Sequence, residues 1–218
     1  MSLERAVGVS IDRDILTTSQ AVDYETLRPQ IRNGDILLFS GSELFSRAIR
    51  WATNSPFSHV GFIFRIDAID RIFVLQSLTS AGACTVALSA IVNGVGPHQP
   101  PYHGRLVVAR HDDFVRLANR RALRSMSEFA VDRFGAPYSR IEIAKIVIRI
   151  ALGKLNIKLP ATLQPDDEYI CSEYAAACFK ALGIDFQWDG LGFIAPADFA
   201  EDPKVKAVGV IATARTAS

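Results

Sequence analysis

The sequence predicts an α+β protein with one medium-sized domain. Short apolar runs bounded by turn residues recur between residues 36 and 110, which is the pattern of β-strands. From about residue 113 the apolar residues recur at helical spacing instead. Of the 218 residues, 49% are hydrophobic and 22% are charged, so a sizeable core can form.

Charge and cysteine content argue against several classes of protein. The net charge is +1 and there is no long basic run, so nucleic acid is not expected as a partner. Three cysteines do not make a secreted disulfide framework. No signal peptide is recognisable in residues 1–10, and no apolar run is long enough to cross a bilayer. We therefore expect a cytoplasmic protein.

The first half of the chain predicts the strands. Residues 1–30 are mixed in character and are expected to form an N-terminal extension, with a short helix at residues 24–27. Ser42 is expected to cap a helix that runs from residue 43 to about 53. Residues 67–70 are expected to turn a hairpin. The predicted strands are residues 36–39, 58–64, 71–77, 83–88 and 105–110.

The second half predicts helices and a last strand at residues 205–212. One helix is expected over residues 113–134, where arginines and acidic residues at intervals of four form a solvated face. Residues 141–152 form an amphipathic segment, for which core packing is the default. A lid over an apolar substrate or contact with a membrane surface are the alternatives. His98 and His103 lie in a Gly- and Pro-rich loop without nearby acidic or cysteine partners, so no metal site is expected.

Cys171 is the first candidate for chemistry. It precedes an alanine-rich helical run that Gly183 ends, so it should lie near the helix N-terminus. Free N–H groups and the helix dipole favour a thiolate there. The alternative, a buried structural cysteine, fits Cys178 better because Cys178 lies deeper in the helix.

His59 and Gln76 are the other two candidates. They lie near the ends of two predicted strands that come side by side in an antiparallel hairpin, so the amide should lie beside the imidazole. A cysteine, a histidine and a polar group are the parts of a thiol hydrolase site. The thiolate attacks a carbonyl, the imidazole transfers the proton, and the third group orients the imidazole.

Four motifs, in the order in which they occur, resemble those of a known family. The histidine precedes the cysteine, the reverse of papain. The motifs are Asn-Gly-Asp-Ile-Leu at 33–37, Thr-Asn-Ser-Pro-Phe-Ser-His-Val-Gly at 53–61, Gly-Ala-Pro-Tyr at 135–138 and Tyr-Ile-Cys-Ser-Glu at 169–173. In this order they resemble the circularly permuted NlpC-type cysteine hydrolases, and most closely the YiiX-like branch, related to lecithin retinol acyltransferase. The resemblance covers about residues 33–203.

The resemblance implies a circularly permuted papain-like fold over residues 31–218. It implies an antiparallel, barrel-like sheet packed against the helix of the nucleophile Cys171, with His59 as the base. The family's third position is usually acidic, and here Gln76 stands in that place. Tyr169 matches a family tyrosine that would help to hold the oxyanion, although a packing role for it is equally compatible. Ser58 and Glu173 belong to the motifs and are expected to be structural.

Three functions are compatible with these residues. The first is a thiol hydrolase that cleaves a peptide or other amide or ester bond through an acyl-enzyme. The second uses the same site on a lipid or fatty-acyl substrate, by hydrolysis or acyl transfer, with possible peripheral membrane contact. The third is a degenerate, non-catalytic member that binds a ligand, which Gln76 in place of an acid would suggest. None of the three requires a cofactor.

Overall fold

One mixed sheet organises the structure, a computed structural model that describes residues 9–78, 80–117, 119–136, 171–187 and 194–213. In these residues the strands are β1 Val9–Ser10, β2 Ala21–Val22, β3 Ile36–Gly41, β4 His59–Ile66, β5 Arg71–Leu78, β6 Gly82–Ala87, β7 Gly104–His111 and β8 Val205–Ile211. Their order in the sheet is β1-β8-β7-β3-β4-β5-β6, and β2 also pairs with β8. Only the β2–β8 pair is parallel among the described strands.

The sheet is open. Within the described residues, no hydrogen-bonded pairing joins the β6 edge to the β1 edge. The α+β class and the largely antiparallel sheet therefore agree with the prediction, whereas the barrel-like closure does not. The reason is that β1 and β2 pair with β8 rather than with β6.

Helices pack on both faces of this sheet. They are α1 Ile15–Thr18, α2 Tyr24–Leu27, α3 Leu44–Thr53, α4 Leu88–Asn93, α5 Asp112–Leu117, α6 Arg120–Val131, α7 Cys171–Lys180 and α8 Pro196–Glu201, with 3₁₀ turns at Arg28–Gln30 and Asp67–Ile69. No helix in the described part of the chain is long and apolar enough to cross a membrane. The amphipathic segment predicted at residues 141–152 lies outside the described residues.

Strand β3 separates two apolar clusters. Ile36 and Leu38 belong to one cluster and Leu37 and Phe39 to the other, because successive side chains of a strand point to opposite faces. All four side chains are buried, which explains why the run is apolar without alternation. The first cluster also takes in the apolar side chains of α7, so this helix lies on the Ile36 face of the sheet.

Two local predictions were wrong. Ser42 does not cap α3, because Glu43 occupies the N-cap position and the Ser42 hydroxyl donates instead to the carbonyl of His103 at 3.2 Å. The helix predicted over residues 113–134 is two helices, α5 and α6. The side chain of Asn119 caps α6 by accepting from the N–H of Ala122 at 3.0 Å, so a new helix begins there.

The described N-terminal residues, from Val9 onwards, are built into the sheet. β1 and β2 pair with β8, and Ile15, Tyr24 and Leu27 are buried. The predicted short helix at Tyr24–Leu27 is confirmed as α2. The division of the chain near residue 30 stays a prediction.

Candidate active site

The sulfur of Cys171 lies at the start of α7, which packs against β4 and β5. Only 6% of the residue is exposed. The backbone N–H groups of Val60 and Ser172 both donate to the sulfur. Hydrogen bonds of this kind stabilise a thiolate more than a thiol, so the surroundings of Cys171 are prepared for negative charge.

The ring of His59 is held from the neighbouring strand. His59 begins β4 and lies directly across from Phe39 on β3. The two ring centroids are 4.8 Å apart, with 66° between the ring planes. This edge-to-face contact is a preferred arrangement for aromatic rings, and it restricts rotation of the imidazole.

Gln76 determines which ring nitrogen of neutral His59 carries the hydrogen. Its Oε1 lies 2.8 Å from His59 Nε2, and an amide oxygen only accepts hydrogen bonds. Nε2–H is therefore the donor, which leaves Nδ1 as the nitrogen that can exchange a proton with Cys171. Gln76 is 3% exposed, so solvent hardly competes for this contact. The amide orients the imidazole without adding a charge.

The site lies at the end of β4 where its backbone pairing with β5 stops. Paired positions between these strands begin at Phe62 and Leu75, so His59, Val60 and Gly61 have no paired residue on β5. At the same end, β4 stays paired with β3 through His59. The start of α7 lies against this end of β4, where the N–H of Val60 donates to the sulfur of Cys171.

The pKa values of Cys171 and His59 move towards each other. Burial raises the pKa of the Cys171 thiol, but the charge and hydrogen bond of His59, with the N–H groups of Val60 and Ser172, outweigh burial and lower it. Burial lowers the pKa of His59, but the negative charge of Cys171 and the hydrogen bonds that the ring donates to Cys171 and Gln76 outweigh burial and raise that pKa. Both directions favour a thiolate–imidazolium pair.

A cleft opens beside His59 and Gln76. It encloses about 330 Å³, and both side chains line it, whereas Cys171 does not. Most of the other lining residues are apolar. They include Phe39, Ile49, Leu78, Val86, Ile91 and Tyr102. An uncharged, largely apolar group of modest size would fit this cleft.

The structure thus brings together three of the four residues predicted for the site. Tyr169 lies outside the described residues. Ser58 is buried, and its hydroxyl donates to the carbonyl of Phe39 at 3.3 Å, which is a structural role. Cys178 is also buried, and burial raises the pKa of its thiol to about 12, so it fits the structural cysteine.

Sequence reasoning missed Phe39 and Tyr102. In the sequence, Phe39 is recognisable only as part of a buried strand. Its position opposite His59 depends on the pairing of β3 with β4. Tyr102 lies in the Gly- and Pro-rich loop. Its ring packs edge-to-face on Phe39 at 5.3 Å, and its hydroxyl is hydrogen bonded to Ser58. Burial raises the pKa of Tyr102, so the hydroxyl stays protonated in the cleft wall.

Comparison with known proteins gives a likeness in fold. No protein-family model matches the sequence. No curated protein matches it. Among solved structures, the chain is similar to the metalloprotein yiiX from Escherichia coli O157:H7, with a TM-score of 0.51 over 86% of this chain and 91% of that chain. The chain has the fold of YiiX. At 16% identity the likeness concerns the fold and not the chemistry.

YiiX is described as a metalloprotein, so the side chains of this chain that could bind a metal are relevant. In the described residues of this chain, no three His, Cys, Asp or Glu side chains lie close enough together to hold a metal ion. At the site, the third side chain is the amide of Gln76, whose oxygen is bonded to His59. Among the described residues, this donor set does not fit a resident metal.

Proposed function

We propose that this protein is a cysteine hydrolase of the circularly permuted, papain-like NlpC type, and that it cleaves an amide or ester through an acyl-enzyme on Cys171. The observation that carries the proposal is the hydrogen-bonded pair of His59 and Cys171, whose pKa values move towards each other. Perturbed titratable pairs of this kind are concentrated at catalytic sites. The YiiX-like fold is compatible with the same assignment.

The first half of the reaction forms the acyl-enzyme. The thiolate of Cys171 attacks the substrate carbonyl carbon, a C–S bond forms, and the carbonyl electron pair moves to oxygen. Backbone N–H at the start of α7, with the predicted help of Tyr169, would receive this oxyanion. When the tetrahedral intermediate collapses, Nδ1–H of His59 gives its proton to the leaving amine or alcohol, and the C–N or C–O bond breaks.

The second half returns the enzyme to its resting state. Neutral His59 accepts a proton from water through Nδ1, and the water oxygen attacks the thioester carbon. Collapse of the second tetrahedral intermediate releases the carboxylic acid and the Cys171 thiolate, which pairs again with the imidazolium. Throughout the cycle, Gln76 accepts from Nε2–H and keeps the imidazole in the required tautomer. Gln76 is therefore a positioning residue.

The lining of the cleft favours an acyl substrate as a second, narrower candidate. Side chains such as Ile49, Leu78 and Val86 can bury methylene groups, and each buried methylene contributes about 0.8 kcal/mol. In this version the acyl chain would occupy the cleft beside His59, and the product would be a free fatty acid or a transferred acyl group.

A matched panel of substrates tests both versions. Purified protein is incubated with fatty-acyl esters of increasing chain length, fatty-acyl amides and γ-glutamyl peptides, and product is measured by mass spectrometry. We expect turnover that disappears in Cys171→Ala and persists in Cys84→Ala, because Cys84 has no catalytic partner. Turnover of the peptides alone would eliminate the acyl version. No turnover, with ligand binding unchanged in Cys171→Ala, would identify a non-catalytic binding protein.

A further inference from the structure

The outer face of α3 carries an unusual combination of side chains. Leu44, Arg47 and Trp51 recur at spacings of three and four, so they lie on one side of the helix. Leu44 is 82% exposed and Trp51 is 60% exposed. Each of these large apolar side chains therefore keeps most of its surface in contact with solvent.

Two more arginines flank this face. A cavity of about 380 Å³ is lined by Arg13, Arg47 and Arg50 together with Trp51 and Asn54. Arg50 donates to the carbonyl of Gly41 at 2.9 Å, which fixes its guanidinium. With the Asn54 amide oriented so that its oxygen faces Arg13, that oxygen accepts from both terminal nitrogens of the guanidinium at 2.8 and 3.0 Å. We call Arg13, Leu44, Arg47, Arg50 and Trp51 the α3 surface.

The charge of the α3 surface is uncompensated. Several other described arginines form ion pairs with carboxylates: Arg110 lies 2.6 Å from Asp35, and Arg124 lies 2.7 Å from Glu128. Among the described residues, no carboxylate lines the cavity and none forms an ion pair with Arg13, Arg47 or Arg50. Three arginines without acidic partners favour an anionic partner.

The exposed apolar side chains narrow the choice of partner. A soluble polyanion would neutralise the arginines but would leave Leu44 and Trp51 in water. The interface of a phospholipid bilayer accommodates both the apolar side chains and the arginines. Tryptophan and leucine enter the headgroup region, while arginines bind lipid phosphates. We propose that the α3 surface docks on an anionic phospholipid bilayer.

The position of α3 gives this docking a consequence. Ser46 and Ile49, on the opposite side of the same helix, line the cleft beside His59. One helix therefore separates the α3 surface from the cleft. When α3 lies on the bilayer, the cleft is held within a helix diameter, about 10–12 Å, of the headgroups. This inference goes beyond the proposed hydrolase chemistry and does not depend on it.

The fluorescence of Trp51 tests the proposal directly. The chain has two tryptophans, so Trp188→Phe leaves Trp51 as the single reporter. Combining this change with Cys171→Ala removes any turnover, so failure of the chemistry cannot affect the result. On titration with vesicles of phosphatidylcholine and phosphatidylserine, we expect a blue shift and quenching by brominated acyl chains. Vesicles of phosphatidylcholine alone should give neither.

Charge-matched variants locate the binding surface. Arg47→Glu should weaken partitioning to anionic vesicles about tenfold or more, since each arginine near such a surface is worth about fivefold. Arg120→Glu changes the net charge equally at an exposed position on α6, and it should change partitioning by less than about twofold. Leu44→Ser should weaken partitioning several-fold, although its charge is unchanged.

Three results would overturn the proposal. One is an unchanged Trp51 emission in anionic vesicles. Another is an equal loss of binding in Arg47→Glu and Arg120→Glu, which would show attraction by net charge alone. The third is tight binding to heparin with no quenching of Trp51 by brominated lipids, which would assign the surface to a soluble polyanion.

Discussion

Gly61 lies so close to Gln76 that a Cβ built on Gly61 would stand 3.2 Å from the Cβ of Gln76. The same atom would lie 2.8 Å from Cγ1 of Val74 and 3.0 Å from the carbonyl oxygen of Leu75. The missing side chain of Gly61 therefore allows β5 to approach β4 beside the site. The bond between Gln76 and His59 depends on this approach, which gives the glycine of the His-Val-Gly motif a physical role.

Gly61→Ala should displace Gln76 from His59. We expect a loss of stability of about 1–3 kcal/mol from overpacking. We also expect slower alkylation of Cys171 by iodoacetamide, because an unoriented imidazole pairs less well with the sulfur. Urea unfolding and timed alkylation measure the two effects. A variant with wild-type stability and wild-type alkylation would show that the close contact between Gly61 and Gln76 has no effect on the site.

Cys171 should be the most reactive thiol of the chain at neutral pH. Its pKa is lowered although burial opposes this, whereas burial raises the pKa of Cys84 and Cys178. A lowered pKa means that the thiolate forms before the pH reaches the usual range for cysteine. Limited iodoacetamide labelling at pH 7, followed by peptide mass mapping, should find the label at position 171. Labelling of Cys84 first would contradict the assignment.

His59→Ala should remove that reactivity. Without the imidazole, burial is the largest remaining effect on the pKa of Cys171, and it raises the pKa. Each pKa unit above the assay pH lowers the thiolate fraction about tenfold, so alkylation at pH 7 should slow by at least that factor. His98→Ala, at an exposed loop position, is the matched control and should alkylate like the wild type.

Gln76→Glu should move the pH profile. A carboxylate next to Nε2–H stabilises imidazolium, so the pKa of His59 should rise further, by about one unit or more. The alkaline limb at which the ion pair loses its imidazolium proton then shifts to higher pH. Gln76→Ala, which lacks the acceptor, should shift that limb to lower pH. The profile is read from alkylation rates at closely spaced pH values, and identical profiles in the three proteins would remove Gln76 from the site.

Arg110→Ala should destabilise the whole sheet. Asp35, at the entrance to β3, is buried, and Nε and one terminal nitrogen of Arg110 reach its two oxygens at 2.6 and 2.8 Å. Removing one partner of a buried pair costs about 3–5 kcal/mol, because the other charge stays buried and unpaired. Adding Asp35→Asn to Arg110→Ala should restore part of the stability. Urea unfolding measures both, and a loss below about 1 kcal/mol for the single change would mean that water reaches Asp35.

Much of the sheet was predictable because its signals are local. The apolar runs that form β3, β4, β5 and β7 are bounded by turn residues, and this pattern is enough to predict a buried strand. The approach of Gln76 to His59 followed from the antiparallel hairpin alone. Helix α4 was not predicted. Leu88–Asn93 contains β-branched residues, which favour a strand over a helix.

Other features depend on contacts between distant parts of the chain. β1 and β2 are two residues long, and only pairing with β8 makes them strands. The Phe39 ring orients His59 through strand pairing that local pattern cannot show. The sequence could suggest that Cys171 begins a helix, but not that this helix packs against β4 and β5 where their pairing ends.

The place of β8 in the sheet sets an order of assembly on the ribosome. This strand is synthesised after every other described strand, yet it stands between β7 and the N-terminal strands β1 and β2. Strands β1 and β2 therefore have no described strand to pair with until β8 has been synthesised. During that interval the edge of β7 is open to pairing with other chains. Shielding of this edge would therefore matter most before β8 has been synthesised.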